Sequence, residues 1–455
     1  MSFVTQLRAG LTGSEQTPLV HLGNIEVEQF WGKHVGALTL PSLTSPSAKF
    51  VVNRMDQLAL FLANPDDYVL LKEPLDPDYA SYLIKEGFAI PKVICPSANR
   101  PELNITESFL ADEAGLRALS ELVEKGATLM PFGVSHLEEE LSKKTGLPLA
   151  GPASTVVEVV NSKILSRQLN EQLAIRAIPG SCVCTLEELK DALAQHEPIL
   201  TAGGKLVVKD AFGVSGKGLT IVTSPDKAAN VIKMWDRQLT SKPEGCIRVV
   251  VEQWIEKKLD INYQILIGKD GRVTFCGVRD AVTLNGVHQG HRIPSSLTSN
   301  QIEELQTAGA KLGPALYHLG YYGLVGIDAI LSVDDVVYPN LEINARFNMS
   351  TYQNKLEEDL LGGKKTLAKQ FPLKLSREVK FAEVEALLGS DIYRHATGTG
   401  FLINDFATVN AAAKAGGASW PGRLYGLIIG TSEDDVWQRN QRLTEKLGTL
   451  ERAQS

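Results

Sequence analysis

The sequence predicts an α/β protein built from more than one structural unit. In the first 150 residues, short apolar runs alternate with segments of helical periodicity, an order typical of a mainly parallel sheet. Further along, apolar strands flank a glycine-rich loop, and a later pair of strands carries acidic side chains. A chain of 455 residues is long enough for about two to four units with buried cores.

The composition argues against several classes of protein. Hydrophobic residues make up 44% and charged residues 22% of the chain, as in ordinary globular proteins. The net charge of −7 argues against nucleic-acid binding, which needs a basic surface. No stretch is apolar and long enough to span a bilayer, and the five cysteines lack metal-type spacing. We therefore expect a cytoplasmic enzyme with no membrane or nucleic-acid partner.

Residues 1–150 are predicted to form an α/β domain. Four apolar runs that end near Gly or Pro predict strands, namely TPLVHLGN, DYVLLKEP, AIPKVICP and ATLMPFG. Three segments predict helices, namely PDYASYLIKEG, LADEAGLRALSELVEKG and SHLEEELSKKTG, the last capped by Ser135. The sequence His21–Asn24 ends the first strand, where it would either touch a ligand or form a plain turn.

A glycine-rich loop, AFGVSGKG, lies between the predicted strands KLVVKD and GLTIV in a module covering residues 173–256. Closely spaced glycines allow backbone N–H groups to approach an anion, and Lys209 directly before the loop can contact a phosphate. A flexible hairpin is the alternative, because the spacing does not match a Walker loop. A predicted helix through STVVEVVNSKILSRQLNEQ brings in Lys163, which by itself would be a solvated lysine.

Two further segments contain candidate ligand contacts. The strand VVVEQWIE, which ends at Glu256, offers backbone donors and an apolar wall that suit an adenine ring, followed by Asp260 for a ribose. The strands INYQILIG and RVTFCGVR predict a hairpin, followed by a polar loop that holds His288, His291 and Arg292. The planar guanidinium of Arg292 suits a substrate carboxylate, whereas the two histidines lack a third metal ligand.

The strongest site signal is the stretch from Tyr321 to Tyr352, which predicts two strands joined by a turn. A strand period of two places Glu342, Asn344 and Arg346 on one face, and Asp328 lies on the neighbouring strand. Carboxylate and amide oxygens are the ligands that Mg²⁺ prefers when it is shared with nucleotide phosphates. The alternative for these residues is a solvated hairpin face.

In this order and spacing, the motifs from Asn161 to Arg346 resemble the ATP-grasp superfamily of carboxylate–amine and carboxylate–thiol ligases. The C-terminal segments YRHATGTGFLINDFATVNAA and GRLYGLIIGTSEDDVW are similar to peptide ligases of the pheganomycin type. The resemblance implies an ATP-grasp fold with three domains: a Rossmann-like pre-ATP-grasp domain over 1–150, an ATP-grasp domain over 151–375, and a C-terminal ligase extension over 376–455. Within the ATP-grasp domain it implies a small α+β lid subdomain at about 175–251 and a core at 252–375.

The resemblance also implies roles for single residues. Lys163 and Lys209 resemble the lysines on the α- and β-phosphates, and Arg346 resembles the arginine that steadies an acyl phosphate. The mobile loop over the γ-phosphate would comprise Gly213, Ser215, Gly216, Lys217 and Gly218. The adenine and ribose contacts would come from Glu252, Gln253, Trp254, Ile255 and Asp260. Two Mg²⁺ ions, or Mn²⁺ in their place, would be held by Asp328, Glu342 and Asn344, although many members have Glu where this chain has Asp328.

The function implied is an ATP-dependent ligase that joins the carboxylate of one small molecule to the amine of another. Phosphorylation by ATP turns a carboxylate into an acyl phosphate that an amine attacks, releasing ADP and phosphate. The substrates would be amino acids or short peptides, and the enzyme would be compatible with a homodimer. The alternatives are an ATP-grasp carboxylase or thiol ligase, and a non-catalytic ATP-binding protein. The sequence identifies no general base.

Overall fold

The computed structural model describes residues 1–33, 36–40, 46–98, 100–213, 218–284, 287–413 and 417–452. Its strands form three sheets. We call them the parallel sheet, which has four strands, the small sheet, which has four antiparallel strands, and the large sheet, which has eight antiparallel strands. The described part of the chain has no helix with the length and apolarity needed to cross a membrane.

The parallel sheet has the strand order β3-β2-β1-β4 and contains the four strands predicted near the N-terminus. Its strands are β1 (Leu19–Leu22), β2 (Tyr68–Leu70), β3 (Lys92–Ile94) and β4 (Thr128–Pro131). The α-helices described in this part of the chain are α1 (Phe3–Thr12), α2 (Pro46–Val52), α3 (Pro77–Lys85), α4 (Ile105–Leu110), α5 (Glu113–Ser120) and α6 (His136–Thr145). Ser135 caps α6 in a capping box with Glu138, as the sequence predicts. The strand order reverses between β1 and β4, so a ligand crevice is expected there.

The small sheet has the order β5-β8-β6-β7 and surrounds the glycine-rich loop. Its strands are β5 (Gly180–Val183), β6 (Leu206–Asp210), β7 (Leu219–Val222) and β8 (Val249–Gln253). It is preceded by α7 (Ser154–Val160) and α8 (Lys163–Gln172), and it is covered by α9 (Leu186–Gln195), α10 (Glu197–Thr201) and α11 (Pro225–Ser241). The fully buried Trp235 of α11 belongs to a hydrophobic core separate from that of the large sheet.

The single helix predicted through Lys163 is interrupted. The chain leaves the helix at Asn161 and Ser162, and a second helix begins at Lys163. The Asn161 side chain explains the break, because its amide donates to Val157 O at 2.7 Å while its oxygen accepts from Ala345 N at 2.9 Å. The break therefore places Lys163 at the first turn of α8, beside the end of the acidic hairpin.

The large sheet has the order β13-β12-β9-β10-β11-β14-β16-β15. Its strands are β9 (Lys257–Ile267), β10 (Val273–Leu284), β11 (Val287–Ile293), β12 (Gly323–Ser332), β13 (Val337–Asn344), β14 (Lys365–Leu375), β15 (Gly400–Asp405) and β16 (Trp420–Gly430). The accompanying helices are α12 (Ser299–His318), α13 (Thr351–Leu356), α14 (Phe381–Leu388) and α15 (Glu433–Arg452). The last strands of the chain thus extend the same sheet that carries the acidic hairpin.

The polar loop predicted around His288 to Arg292 is a strand, so that prediction was wrong. This segment is β11, which pairs with β10 on one side and with β14 on the other. The sequence hides the strand because its inward positions carry histidines instead of aliphatic side chains. Pairing on both edges satisfies the backbone, and this makes a polar strand stable in the middle of a sheet.

An N-terminal segment, Gly36 to Leu40, is bound to the small sheet. Leu38 N donates to Cys246 O at 2.9 Å, and Leu40 N donates to the Asp210 carboxylate at 2.8 Å. Leu38 and Leu40 are buried in the small sheet's own core. The segment therefore connects the part of the chain that follows β1 with the small sheet.

We expect Leu38→Ala to loosen this connection. Deleting a buried leucine side chain costs about 2–5 kcal/mol, and the core that loses it here belongs to the small sheet. Hydrogen exchange at the amides of β8 should accelerate more than exchange at the amides of β12. Ile84→Ala, at an exposed position in α3, is the matched control. Equal protection of β8 in Leu38→Ala and the control would contradict the connection.

Candidate active site

The acidic hairpin brings the predicted metal ligands together by strand register. On β12 and β13, Asp328 pairs with Glu342 and Gly326 pairs with Asn344, so all four positions share one face. The Asp328 carboxylate accepts from Asn262 Nδ2 at 2.8 Å and from Asn344 Nδ2 at 3.1 Å. Residues directly opposite in an antiparallel pair have Cβ atoms about 4.5–5.5 Å apart. Two carboxylates therefore lie side by side at this point of the sheet.

The pKa of Asp328 reflects its burial and its closeness to Glu342. Burial, and next the charge of Glu342, raise the pKa of the Asp328 carboxyl to about 6. Its hydrogen-bond donors are neutral amides, while Glu342 is paired with the Lys163 ammonium. Two carboxylates thus share this one ammonium, and a divalent cation would offset the remaining negative charge. The described residues contain no cluster of three His, Cys, Asp or Glu side chains suited to a metal. The donor set fits Mg²⁺ shared with phosphate oxygens better than a closed protein site.

The side-chain oxygen of Asn344 accepts a hydrogen bond from Arg346. Arg346 Nη2 donates to Asn344 Oδ1 at 2.9 Å, while the Asn344 amide nitrogen donates to Asp328. Asn344 is thus beside the carboxylate pair, as the sequence predicts, but its oxygen would have to turn to serve as a metal ligand. The strand also ends at Asn344, so Arg346 lies beyond β13 instead of continuing its alternation.

Both lysines predicted to bind phosphate are paired with glutamates. Lys163 Nζ donates to Glu342 Oε1 at 2.5 Å and also to the Gly213 carbonyl at the start of the glycine-rich loop. Lys209 Nζ donates to Glu252 Oε2 at 2.6 Å. These contacts link α8, the loop, the small sheet and the acidic hairpin.

The glycine-rich loop closes on a narrow neck. Asp210 N donates to Gly218 O at 2.8 Å, and Gly218 has a φ of +75°, in the left-handed region that favours glycine. A Cβ at Gly218 would lie 2.7 Å from Asp210 Oδ2. Gly213 and Gly218 therefore form the two sides of the neck. The other predicted loop contacts, Ser215, Gly216 and Lys217, lie outside the described residues.

The predicted adenine-binding residues connect two sheets. β8 ends at Gln253 and β9 begins at Lys257, so Trp254 and Ile255 lie on the link between the small and large sheets. Glu252 is buried and binds Arg167 Nη1 at 3.2 Å as well as Lys209. Its carboxylate is therefore engaged by cations, which leaves the half-buried Trp254 and Ile255 side chains as the apolar wall.

The predicted ribose contact, Asp260, lies on β9. Its carboxylate accepts from Lys257 Nζ at 2.6 Å and from Thr283 Oγ1 at 2.7 Å. His288 and His291 lie nearby on β11, with ring centroids 4.4 Å apart. Burial lowers the pKa of His288 to about 4, against an opposing effect of Asp260, and lowers the pKa of His291 well below its usual range. Both imidazoles are therefore neutral near pH 7.

Arg346 contacts residues that follow strands β1 and β4 of the parallel sheet as well as residues next to it in the chain. Its guanidinium forms an ion pair with Glu28, donates to Phe347 O at 2.8 Å, and lies over the Phe132 ring at 5.4 Å from the centroid. Glu28 belongs to a short helix, Ile25–Phe30, that directly follows β1. The sequence did not indicate Glu28. The nearest signal in the sequence is the turn His21–Asn24, which would either touch a ligand or form a plain turn.

Arg292 does not join this cluster. Arg279 pairs with Asn262 and Asn262 with Asp328, so these three residues share one face of the large sheet. Arg292 pairs with Asp280, next to Arg279, and its side chain is exposed. Because strand neighbours point to opposite faces, Arg292 lies on the face away from Asp328. The contact of Arg292 with a substrate carboxylate stays a prediction, and the strand register places this residue on the other face of the sheet from Asp328.

A network of buried polar side chains next to the acidic hairpin is not predicted by the sequence pattern. Gln264 Nε2 donates to Asn348 Oδ1 at 2.6 Å, and Asn348 Nδ2 donates to Asn262 Oδ1 at 3.0 Å. Asn262 in turn donates to Asp328. The network continues through Ser350, Thr351, Asn354 and Arg279. Its amides fix the orientation of the Asp328 carboxylate, which the sequence pattern alone does not reveal.

We expect Asp328→Asn to stabilise the ligand-free fold at alkaline pH. A carboxyl whose pKa is raised from 3.8 to about 6 loses stabilising free energy as the pH rises through this interval. The asparagine variant avoids that loss, so its free energy of unfolding at pH 8 should exceed that of the wild type by about 1–3 kcal/mol. Urea titrations without nucleotide and with metal chelated measure this difference.

The difference should vanish near pH 4, where wild-type Asp328 is protonated. Asp334→Asn, in the exposed turn of the same hairpin, removes a carboxylate without a buried neighbour and serves as the control. An Asp328→Asn protein that is less stable than the wild type at pH 8 would contradict the excess negative charge inferred here.

Family models match two parts of the chain. A pre ATP-grasp domain matches residues 55–147, and the ATP binding domain of the carbamoyl-phosphate synthase L chain matches residues 162–354. The first match covers most of the parallel sheet. The second begins immediately before Lys163 and ends after the acidic hairpin, so it contains both predicted phosphate-binding lysines and the predicted metal ligands.

Two kinds of curated relatives illustrate the similarity. A [Butirosin acyl-carrier protein]--L-glutamate ligase of Niallia circulans is 24% identical over 315 residues, covering 69% of this chain and 68% of the relative. A formate-dependent phosphoribosylglycinamide formyltransferase of Parasynechococcus marenigrum is 26% identical over 243 residues, covering 53% of this chain and 54% of the relative. The chain thus spans about half the length of the formyltransferase.

Solved structures show the same fold. An N5-carboxyaminoimidazole ribonucleotide synthetase in its ADP complex has a TM-score of 0.54, with 13% identity, and covers 96% of this chain and 98% of its own. The corresponding enzyme from Thermus thermophilus has a TM-score of 0.52, with 15% identity, and covers 94% and 98%. The resemblance to pheganomycin-type peptide ligases stays a prediction. The resemblance to the ATP-grasp superfamily is confirmed, because a pre ATP-grasp domain model and an ATP-grasp domain model match successive parts of the chain.

Proposed function

We propose that the protein is an ATP-dependent ligase that joins a carboxylate to an amine through an acyl phosphate. The observation that carries the proposal is that Lys163 binds both Glu342 and the Gly213 carbonyl of the glycine-rich loop, while Arg346 binds Asn344 at the end of the strand that carries Glu342. A nucleotide-binding scaffold would not need an arginine and a carboxylate pair at this point. The substrates we propose are amino acids or short peptides, with ADP and phosphate as further products.

The lysines are proposed to neutralise the nucleotide. Lys163 and Lys209 are both largely buried and are held by glutamates, so they are oriented before the nucleotide arrives. Phosphate oxygens would replace the glutamates as partners of the two ammonium groups. Transfer of a phosphoryl group needs mainly positioning and charge compensation, which such groups supply.

The carboxylate pair is proposed to hold two Mg²⁺ ions, with Mn²⁺ as a substitute. Asp328 and Glu342 would be the main ligands, joined by the oxygen of Asn344 after its amide turns. Bound Mg²⁺ supplies positive charge against the phosphates and against the charge that develops during transfer. Breaking the Lys163–Glu342 pair frees Glu342 for this role at the same time as Lys163 becomes available to phosphate.

Arg346 is proposed to hold the reacting carboxylate and then the acyl phosphate. Its guanidinium is fixed by Asn344, the Phe347 carbonyl and the Phe132 ring, so its direction is set before a substrate binds. The amine nitrogen attacks the acyl carbon, the new C–N bond forms, and the C–O bond to phosphate breaks with its electron pair on phosphate. No serine or cysteine nucleophile is required by this route.

A carrier-protein substrate is the second candidate. The name of the butirosin relative describes a ligase that acts on an acyl-carrier protein and L-glutamate. Such a reaction uses the same activation of a carboxylate, and only the acceptor differs. A panel of acceptors that includes free amino acids, dipeptides and a phosphopantetheinylated carrier protein separates the two candidates by the mass of the product.

We expect Glu342→Gln to abolish ligase turnover while the fold survives. Loss of one carboxylate from the pair removes a proposed metal ligand, so hydroxamate formation should fall by at least about 100-fold. The assay supplies Mg²⁺-ATP, pools of carboxylate substrates and hydroxylamine as a small general nucleophile, and it measures both ADP and hydroxamate.

Glu303→Gln, on the exposed surface of α12, provides the matched control for the same chemical change. The thermal midpoint of each variant reports whether the fold is intact. Wild-type rates in Glu342→Gln would remove the metal assignment. Failure of the wild-type protein to release ADP with any carboxylate, despite binding ATP, would favour the non-catalytic alternative.

A further inference from the structure

Glu28 occupies the face of Arg346 that a substrate would need. Both Nε and Nη2 of Arg346 face the same carboxylate oxygen of Glu28. These two nitrogens form the fork through which arginine usually binds a carboxylate. The other contacts of the guanidinium go to Phe347 O through Nη1 and to Asn344 Oδ1 through Nη2. A substrate carboxylate can therefore take the fork only after Glu28 has moved away.

The position of Glu28 is determined by the surrounding chain. Its short helix begins directly after β1, at the point where the parallel sheet reverses its strand order. Trp31 Nε1 donates to Val134 O at 3.1 Å and Gly32 N donates to Glu158 Oε1 at 3.0 Å, which anchors the end of this helix. The Glu28 and Arg346 side chains are only 13% and 12% exposed. A displaced Glu28 carboxylate therefore stays beside the proposed reaction centre.

We propose that Glu28 is the carboxylate that receives the amine substrate, an inference that rests on the proposed ligase function. In this structure Glu28 takes the place of the substrate carboxylate on Arg346. When the reacting carboxylate binds Arg346, the Glu28 carboxylate is released and holds the incoming amine. As the amine nitrogen bonds to the acyl carbon and phosphate leaves with the C–O electron pair, a proton passes from that nitrogen to Glu28.

This assignment predicts two opposite effects of Glu28→Gln. A neutral amide competes less well for Arg346, so the KM for the carboxylate substrate should fall. The same amide cannot accept a proton, so kcat for amide formation should fall by about 10²–10⁴-fold, the usual contribution of a general base. Damage to the fold would raise KM and lower kcat together. A lower KM combined with a lower kcat therefore identifies Glu28 as the group that receives the amine.

The experiment compares two nucleophiles on the full-length protein. With Mg²⁺-ATP and a pool of the common amino acids, amide and ADP are measured for wild type, Glu28→Gln, Glu28→Asp and Glu303→Gln. In parallel reactions hydroxylamine replaces the amine, because it is largely unprotonated at neutral pH and reacts with an acyl phosphate without help from a protein base. Glu303→Gln makes the same change at an exposed glutamate of α12, and it is expected to behave like the wild type.

We expect Glu28→Gln to retain hydroxamate formation, to lose amide formation, and to release ADP without a matching amide. Glu28→Asp should restore part of the amide yield, because it restores a carboxylate. An unchanged ratio of amide to hydroxamate in Glu28→Gln would overturn the role of Glu28 while leaving the ligase intact. Absence of both products from the wild type would instead overturn the proposed function itself.

Discussion

The site depends on the placement of two carboxylates opposite each other on neighbouring strands. Asp328 and Glu342 repel one another, and burial, followed by the charge of Glu342, raises the pKa of Asp328 to about 6. A fold tolerates such a pair only if other groups compensate for it. Here the compensation comes from the Lys163 ammonium on one side and from the amides of Asn262 and Asn344 on the other. The elements that carry these groups are therefore fixed around the hairpin.

Charge compensation by neighbouring side chains extends over the whole candidate active site. Lys163, Lys209 and Arg346, which are proposed to bind nucleotide or substrate, are each paired with an acidic side chain. The pairs are Lys163 with Glu342, Lys209 with Glu252, and Arg346 with Glu28. A buried unpaired charge is costly, whereas a paired one can exchange partners at a smaller cost. When Mg²⁺-ATP and a carboxylate substrate bind, the two lysines and the arginine would exchange their glutamate partners for phosphate and carboxylate oxygens. The cationic groups would then need little rearrangement.

The sequence predicted the features that depend on local periodicity. The four strands of the parallel sheet, the capped helix at Ser135 and the facing of Asp328 and Glu342 all follow from alternation over a few residues. Tertiary contacts decided the rest. β11 forms a strand despite its polar residues because strands on both sides pair with it. The contact of Glu28 with Arg346 joins residues more than 300 positions apart, and no spacing rule spans such a distance.

One N-terminal segment connects the two ends of the cleft. Its short helix holds Glu28 against Arg346, and a few residues later Leu38 and Leu40 are buried in the core of the small sheet. Leu40 N also binds Asp210, which forms the neck of the glycine-rich loop through Gly218. A movement of the small sheet relative to the large sheet must therefore either bend this segment or pull on the helix that carries Glu28. The small sheet, which carries groups proposed to contact ATP, is thus attached through this segment to Glu28, which binds Arg346. Nucleotide binding and substrate binding would therefore be mechanically coupled.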